Sequence, residues 1–241
     1  MEVGVRLEGV GVRFLLDRQR RPLTPVLARL RRHGSTVWGL KDVTLEFRPG
    51  DAVALVGPSG SGKTTLLRAI ARVLPTDVGT LTSSGRMGYL LSTDAGLLPT
   101  LTARDNAQLL GVIGGLSRAE VRDAIQPIKR RSGLQSAFER NAAGLSAGMK
   151  ARLGVATAWE TDPQILLLDE VHEALDQDFR TQLSDYAASL VARGGIVIAA
   201  GQDLGLMERM CERAVLMHDG SVVADGRYGQ IRNAYLDQPE V

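Results

Sequence analysis

A single cysteine, Cys211, stands in a chain of 241 residues. No disulfide can form within the chain, so stability must come from burial and hydrogen bonding, and this usage fits a reducing compartment. Histidine is almost as scarce, at three residues: His33, His172 and His218. Their spacing matches no metal-ligand pattern, so no structural metal is expected. His172 reads as a loop residue, His218 as an exposed hairpin residue and His33 as part of a basic stretch. Aromatic residues make up only 4% of the chain, which makes Phe14 and Trp38 conspicuous. Long apolar runs are missing: segments such as ILLL at 165–168 fall far short of the roughly 20 residues a bilayer span needs. Met1–Gly11 has neither the basic start nor the apolar core of a secretory leader. No charge sign dominates, with 29 Lys and Arg against 27 Asp and Glu for a net +2. That is weak for a nucleic-acid binder, and no nucleic-acid partner is expected.

What is present is the balance of a soluble globular protein, 44% hydrophobic and 23% charged. The length suits one large domain, 1–241, with a subdomain inserted. Basic residues gather at 17–34, where Arg18, Arg20, Arg21, Arg29, Arg31 and Arg32 fall together. Two readings stand for this insertion: a solvated surface segment, or a contact with anionic lipid or a membrane partner.

The chain opens with two alternating, strand-like stretches, VGVRLEGVGVRF and LKDVTLEF. AVALV (52–56), ILLLD (165–169) and GIVIAA (195–200) are short apolar runs, as buried parallel strands are. RMGYLL (86–91) is a further strand candidate, and TTLLRAIARVL (64–74) has helical spacing before Pro75. Residues 102–160 are helical in pieces broken by Gly114-Gly115, Gly133 and Gly144, and ALDQDF onward (174–195) reads as another helix closed by glycine. RAVLMHDGSVVADG is a hairpin turning at Asp219-Gly220. Strands alternating with helices imply an α/β fold: a parallel sheet core, an antiparallel β flank and a helical subdomain over about 100–160.

The exit of AVALV reads Gly57-Pro58-Ser59-Gly60-Ser61-Gly62-Lys63-Thr64-Thr65, which matches GxxxxGK[ST] between a strand and a helix. Glycines let backbone N–H groups converge on phosphate oxygens. The helix N-terminus adds partial positive charge. Lys63 neutralises the outer phosphates and the Thr64 hydroxyl ligates Mg²⁺. Asp169, ending an apolar strand, is the candidate second metal ligand, and Glu170 beside it is placed to polarise an attacking water.

LSAGMKARLGVATA (145–158) precedes that strand, with Ser146 a helix N-cap and Gly148 permitting close backbone approach. Between a P-loop and Asp169-Glu170, this stretch resembles the signature of ABC-transporter ATPases. ALD (174–176), LTARDN (101–106) and VVADG (222–226) resemble the family's D-loop, the stretch after its Q-loop and its last strand. The SAGM form, DEV at 169–171 and LDQDF at 175–179 are similar to the exporters of polysaccharide, teichoic acid and O-antigen.

The resemblance implies a P-loop NTPase fold, ATP and Mg²⁺ as ligands, and a head-to-tail dimer with a second ATPase subunit, a homodimer by expectation. ATP would lie between Gly57–Thr65 with Asp169 of one subunit and Ser146 with Gly148 of the other, and Asp176 would join the two sites. Adenine would stack on Phe14, or on Trp38 if that ring is not committed to packing. A separate membrane-spanning permease would dock near 90–105, at Leu97, Leu98 and Leu101, placing the chain at the cytoplasmic face of the inner membrane. The transported glycan or glycolipid would be contacted mainly by the permease.

Two departures from the family stand out. Gln202 occupies the place of the switch histidine; it can hydrogen-bond a phosphate or a water but carries no charge. The Q-loop glutamine is also replaced, with Ser92 or Thr93 near its position. The expected activity is ATP hydrolysis driving glycan export, with Lys63, Glu170 and Gln202 the catalytic set. The alternatives are an ABC subunit for another substrate, a regulatory ATP-binding subunit with a degenerate site, and a soluble ABC ATPase acting on nucleic acid.

Overall fold

The computed structural model describes residues 3–16, 35–90, 96–170 and 174–237. The basic insertion, the Q-loop positions Ser92 and Thr93, His33, His172 and the tail after Asp237 lie outside the described residues.

Two sheets form. The smaller is antiparallel in the order β2-β1-β4, from β1 (Gly4–Leu16), β2 (Ser35–Phe47) and β4 (Val78–Ser84). The larger has the order β5-β6-β7-β3-β8-β9, from β3 (Ala52–Val56), β5 (Met87–Leu90), β6 (Ile165–Asp169), β7 (Ile196–Ala200), β8 (Arg213–His218) and β9 (Ser221–Arg227). Its first five members run parallel and β9 returns antiparallel to β8. This is the α/β core with an antiparallel flank that the apolar runs imply. The turn Asp219-Gly220 has φ of 46° and 79°, the left-handed pair a two-residue type I′ hairpin requires.

Alternation along the central strands builds two cores, one on each face of the sheet. Val53, Leu55, Ile165, Leu167, Ile198 and Val215 face α1 (Lys63–Ile70) and the smaller sheet. Ala54, Val56, Leu166, Leu168, Val197 and Leu216 face the helices of 103–160 and α5 (Gln177–Ala192). Each buried Leu or Ile contributes about 1.5–3 kcal/mol.

The helical block contains α2 (Ala103–Ile113), α3 (Arg118–Ser132), two 3-10 turns (Gln135–Glu139 and Ala142–Gly144) and α4 (Ala147–Glu160). Its boundaries are written in side chains. Thr102 caps α2, Ser117 and Glu120 form a capping box on α3, and Gly133 ends α3 at φ 67°. Asn106, fully buried, accepts from Leu98 N–H at 2.7 Å and donates to the carbonyls of Leu98, Leu101 and Thr102. It therefore fixes the loop that enters the block.

Three expectations need correction. The helix expected over 64–74 closes at Ile70, because Arg72 takes a left-handed φ of 58° and the chain turns back with Val73 N–H on Arg68 O. The helix expected from 174 begins at Gln177, because the Asp176 carboxylate accepts Phe179 N–H at 2.9 Å and makes Ala174–Leu175 a loop. Leu97 is only 8% exposed and belongs to the main core, so it is no docking residue. Two short helices escaped the sequence reading: α6 (Leu204–Met210) and α7 (Tyr228–Leu236).

Candidate functional site

The carboxyl ends of β6, β7 and β3 lie side by side, where open α/β sheets place their ligands. A cavity of about 630 Å³ opens there. It is lined by Phe14, Val37, Trp38 and Gly39 from the smaller sheet and by Gly57 and Ser59–Thr65 from the loop after β3. Glu170, Gly201, Gln202, Leu204 and Tyr235 complete the lining.

The loop after β3 is built on glycine for steric reasons. Gly57 has φ 144°, and a Cβ there would sit 2.2 Å from the Met217 carbonyl oxygen. Gly62, the left-handed N-cap of α1 at φ 105°, would place a Cβ 2.8 Å from Gly39 O. The hairpin turn braces the loop from behind, with Gly220 N–H donating to Ser61 O at 3.0 Å. Lys63 Nζ donates to Gly57 O at 2.7 Å, Pro58 O at 2.9 Å and Ser61 Oγ at 3.4 Å. Burial lowers the Lys63 pKa, against the opposing pull of Glu170 and Asp169.

Thr64 Oγ1 donates to Asp169 Oδ1 at 3.1 Å. Asp169 is 5% exposed at the end of β6. Burial raises its pKa, the Thr64 hydrogen bond lowers it, and the Glu170 charge raises it again. Glu170 takes a left-handed φ of 57° while its N–H donates to Ala200 O at 2.9 Å. A non-glycine residue held there stores about 1–3 kcal/mol, a cost met at functional sites. Glu170 follows β6 and Gln202 follows β7 after Gly201, so they leave neighbouring strand ends, and both line the cavity.

Phe14 and Trp38 both line the cavity, at 39% and 37% exposure. They are not equivalent. The Arg13 guanidinium lies 5.2 Å from the Trp38 ring centroid, and a Cβ at Gly11 would meet that ring at 2.7 Å. Trp38 is thus partly engaged by its own sheet, while Phe14 lies across Gly39.

A family model described as ABC transporter matches residues 40–173, more than half of the chain. The chain belongs to this family. It is an ATP-binding subunit of an ABC transporter, and its chemistry is ATP hydrolysis. The ABC transporter ATP-binding protein NatA of Bacillus subtilis is 28% identical over 85% of the chain and 88% of its own length. The O-antigen export system ATP-binding protein RfbB of Myxococcus xanthus is 31% identical over 87% of the chain, which spans 48% of that relative's length. The teichoic acids export ATP-binding protein TagH of Listeria monocytogenes is 28% identical over 82% of the chain and 59% of its own length. Among solved structures, the dimeric, post-hydrolysis ATP-binding cassette MJ0796 bound to ADP and Pi superposes with a TM-score of 0.76. It does so at 22% identity over 93% of this chain and 98% of that one.

In this ABC ATPase Pro58 and Asp169 do not line the cavity themselves but hydrogen-bond to Lys63 and Thr64, which do, and three further residues singled out from the sequence are placed elsewhere. Ser146 is exposed at the N-terminus of α4, accepting Met149 N–H at 3.2 Å. A Cβ at Gly148 would lie 3.0 Å from Ala174 O. Asp176 pairs with Arg152. None of the three lines the cavity. Val37, Leu204 and Tyr235 line it without having been foreseen; the apolar spacing Tyr228, Ile231, Tyr235 was the available signal for the last.

No helix among the described residues is long and apolar enough to cross a membrane. An apolar groove of about 270 Å³ lies between β5, α2 and α4, lined by Tyr89, Leu90, Leu110, Ile113 and Ala158 among others. Leu98, Val112 and Ile113 are 46%, 50% and 53% exposed.

Proposed function

We propose that this ABC ATPase energises export of a polysaccharide, teichoic acid or lipid-linked glycan, working as a head-to-tail homodimer on a membrane permease. The observation that carries the catalytic part is the convergence of Lys63, Thr64, Glu170 and Gln202 on one cavity large enough for a nucleotide. The SAGM signature and relatives named for O-antigen and teichoic acid export support the glycan part.

In this reading the Gly57–Thr65 backbone and Lys63 hold the phosphates. The Thr64 hydroxyl and the Asp169 carboxylate are hard oxygen donors that suit Mg²⁺. Bound Mg²⁺ supplies charge neutralisation at the phosphate oxygens. Glu170 accepts the proton of the attacking water. Gln202 donates its amide to the γ-phosphate and holds the water by its carbonyl. Phe14 stacks the adenine. Phe14→Ala weakens ATP binding by about tenfold, while Trp38→Ala changes it by less than about threefold, read by titration with a fluorescent ATP analogue.

Ser146 and Gly148 lie outside this cavity because they serve the partner's nucleotide. ATP then joins two helix N-termini, and its hydrolysis releases the dimer. A second reading, a regulatory subunit that binds without turnover, is favoured by Gln202 alone and opposed by Glu170.

The groove beside α2 and the exposed Leu98, Val112 and Ile113 are the surface assigned to the permease, holding the chain at the cytoplasmic face of the membrane. Leu98→Asp with Ile113→Asp abolishes co-purification with the permease and leaves the melting temperature within about 4 °C, since both side chains are about half exposed. The substrate is tested by ATPase assays on the permease complex in proteoliposomes. A polyprenyl-linked glycan stimulates turnover several-fold; stimulation by amino acids and none by the glycan contradicts the export reading.

A further inference from the structure

The nucleotide cavity has one wall that the P-loop and its acidic partners do not explain. Tyr235 and Leu204 line it together with Gln202. Tyr235 belongs to α7, the last helix described, and α7 is fastened to the switch segment by hydrogen bonds rather than by apolar contact alone. The Tyr228 hydroxyl donates to Leu204 O at 2.7 Å, and Tyr228 is 3% exposed. Leu204 N–H in turn donates to Gln202 O at 2.9 Å. Two linked bonds therefore run from a buried phenol to the backbone of the residue that replaces the switch histidine. On the other side, Asp203 caps α6 through Leu206 N–H at 2.9 Å and pairs with Arg180 at 3.0 Å. The segment 202–204 is thereby held at successive residues.

We propose that Tyr228 is a positioning residue for ATP hydrolysis: its hydroxyl fixes the carbonyl of Leu204 and, through the Leu204 N–H, sets the backbone of Gln202 against the γ-phosphate. The proposal rests on the reading of Gln202 as a residue of the γ-phosphate end. The physical need is specific to glutamine. An imidazolium attracts a phosphate over several ångströms, whereas an amide works only at hydrogen-bond distance and fixed angle. A neutral switch residue thus depends more on the backbone that carries it. Burial pushes the Tyr228 phenol up to about 12, so it remains a donor throughout the working range.

The test is a double-substitution cycle on the full chain, reading kcat and ATP affinity for Tyr228→Phe, Gln202→Ala and the pair. Tyr228→Phe removes one oxygen and keeps the ring. It lowers kcat by about fivefold, the worth of one buried hydrogen bond, with ATP affinity within about twofold. In the Gln202→Ala background the same change alters kcat by less than about twofold, because the residue it acts through is gone. Arg232→Ala separates positioning from loosening of the helix. It breaks the 2.7 Å pair between α7 and Glu208 without touching the chain to Gln202, and it keeps kcat within about twofold.

The inference is overturned if Tyr228→Phe keeps full kcat, if the two losses multiply, or if Arg232→Ala loses kcat equally. Loss on Gln202→Ala without loss on Tyr228→Phe overturns this inference alone. No loss on Gln202→Ala overturns the reading of Gln202, and the inference with it.

Discussion

Glu170→Gln lowers Mg-ATP turnover at least about 100-fold and leaves ATP affinity within about threefold of the parent. The substitution keeps shape and length and removes the negative charge and the ability to take a proton. A positioned general base contributes about 10²–10⁴-fold, and Glu170 is the carboxylate in the cavity wall, turned there by its left-handed backbone. With hydrolysis blocked and binding intact, ATP accumulates between two subunits. Size-exclusion chromatography of Glu170→Gln with Mg-ATP then shows a dimer that the parent loses as it turns over. The neighbouring Asp169 also responds: loss of the Glu170 charge removes one of the influences that raise its pKa. Turnover within about threefold of the parent would exclude Glu170 as the base.

Lys63→Ala has the second large effect, on binding rather than chemistry. Its ammonium now satisfies three acceptors of the loop. With nucleotide bound, the same group faces phosphate oxygens, and each charge-assisted hydrogen bond contributes about 1.5–3 kcal/mol. ATP affinity falls by about 100-fold or more, equivalent to about 2.7 kcal/mol. Adenosine affinity, which reports the proposed stacking on Phe14, changes by less than about threefold, since no phosphate is involved. Calorimetric titration with both ligands separates the two. Equal losses for ATP and adenosine would show a collapsed loop instead of a lost charge.

Much of this architecture was legible before the structure. β3, β6 and β7 are short apolar runs because both of their faces are covered, and such strands announce themselves. The hairpin at Asp219-Gly220 and the loop after β3 carry backbone requirements that few residues meet, so their sequences are restrictive. β4 escaped notice for the opposite reason. VGTLTSS is mostly exposed at the edge of the smaller sheet and has no apolar alternation to read. α6 and α7 are only 7 and 9 residues long, too short for a helical period to stand out.

The candidate site divides in the same way. Residues adjacent to a motif are the ones the sequence offers as candidates: Lys63, Thr64 and Glu170 line the cavity and Asp169 accepts from Thr64. Residues brought in from distant segments are not. Tyr235 reaches the cavity from a helix that starts after the final hairpin, and Leu97 is buried in a loop that Asn106 holds through both backbone groups of Leu98. Ser146 and Gly148 illustrate a different limit. Their proposed ligand belongs to another subunit, so the fold of one chain can place them on a surface but cannot bring them to a nucleotide.

The central claim is that a chain with glutamine at the switch position still hydrolyses ATP, and does so as a dimer. Mg-ATP turnover by the purified chain across a protein concentration series tests this most directly, with Glu170→Gln as the control for contaminating ATPases. The account predicts turnover that rises more steeply than in proportion to protein and vanishes in the control. Tight ATP binding with no turnover at any concentration, restored by Gln202→His, would contradict it and leave the chain a nucleotide-binding subunit dependent on another for hydrolysis.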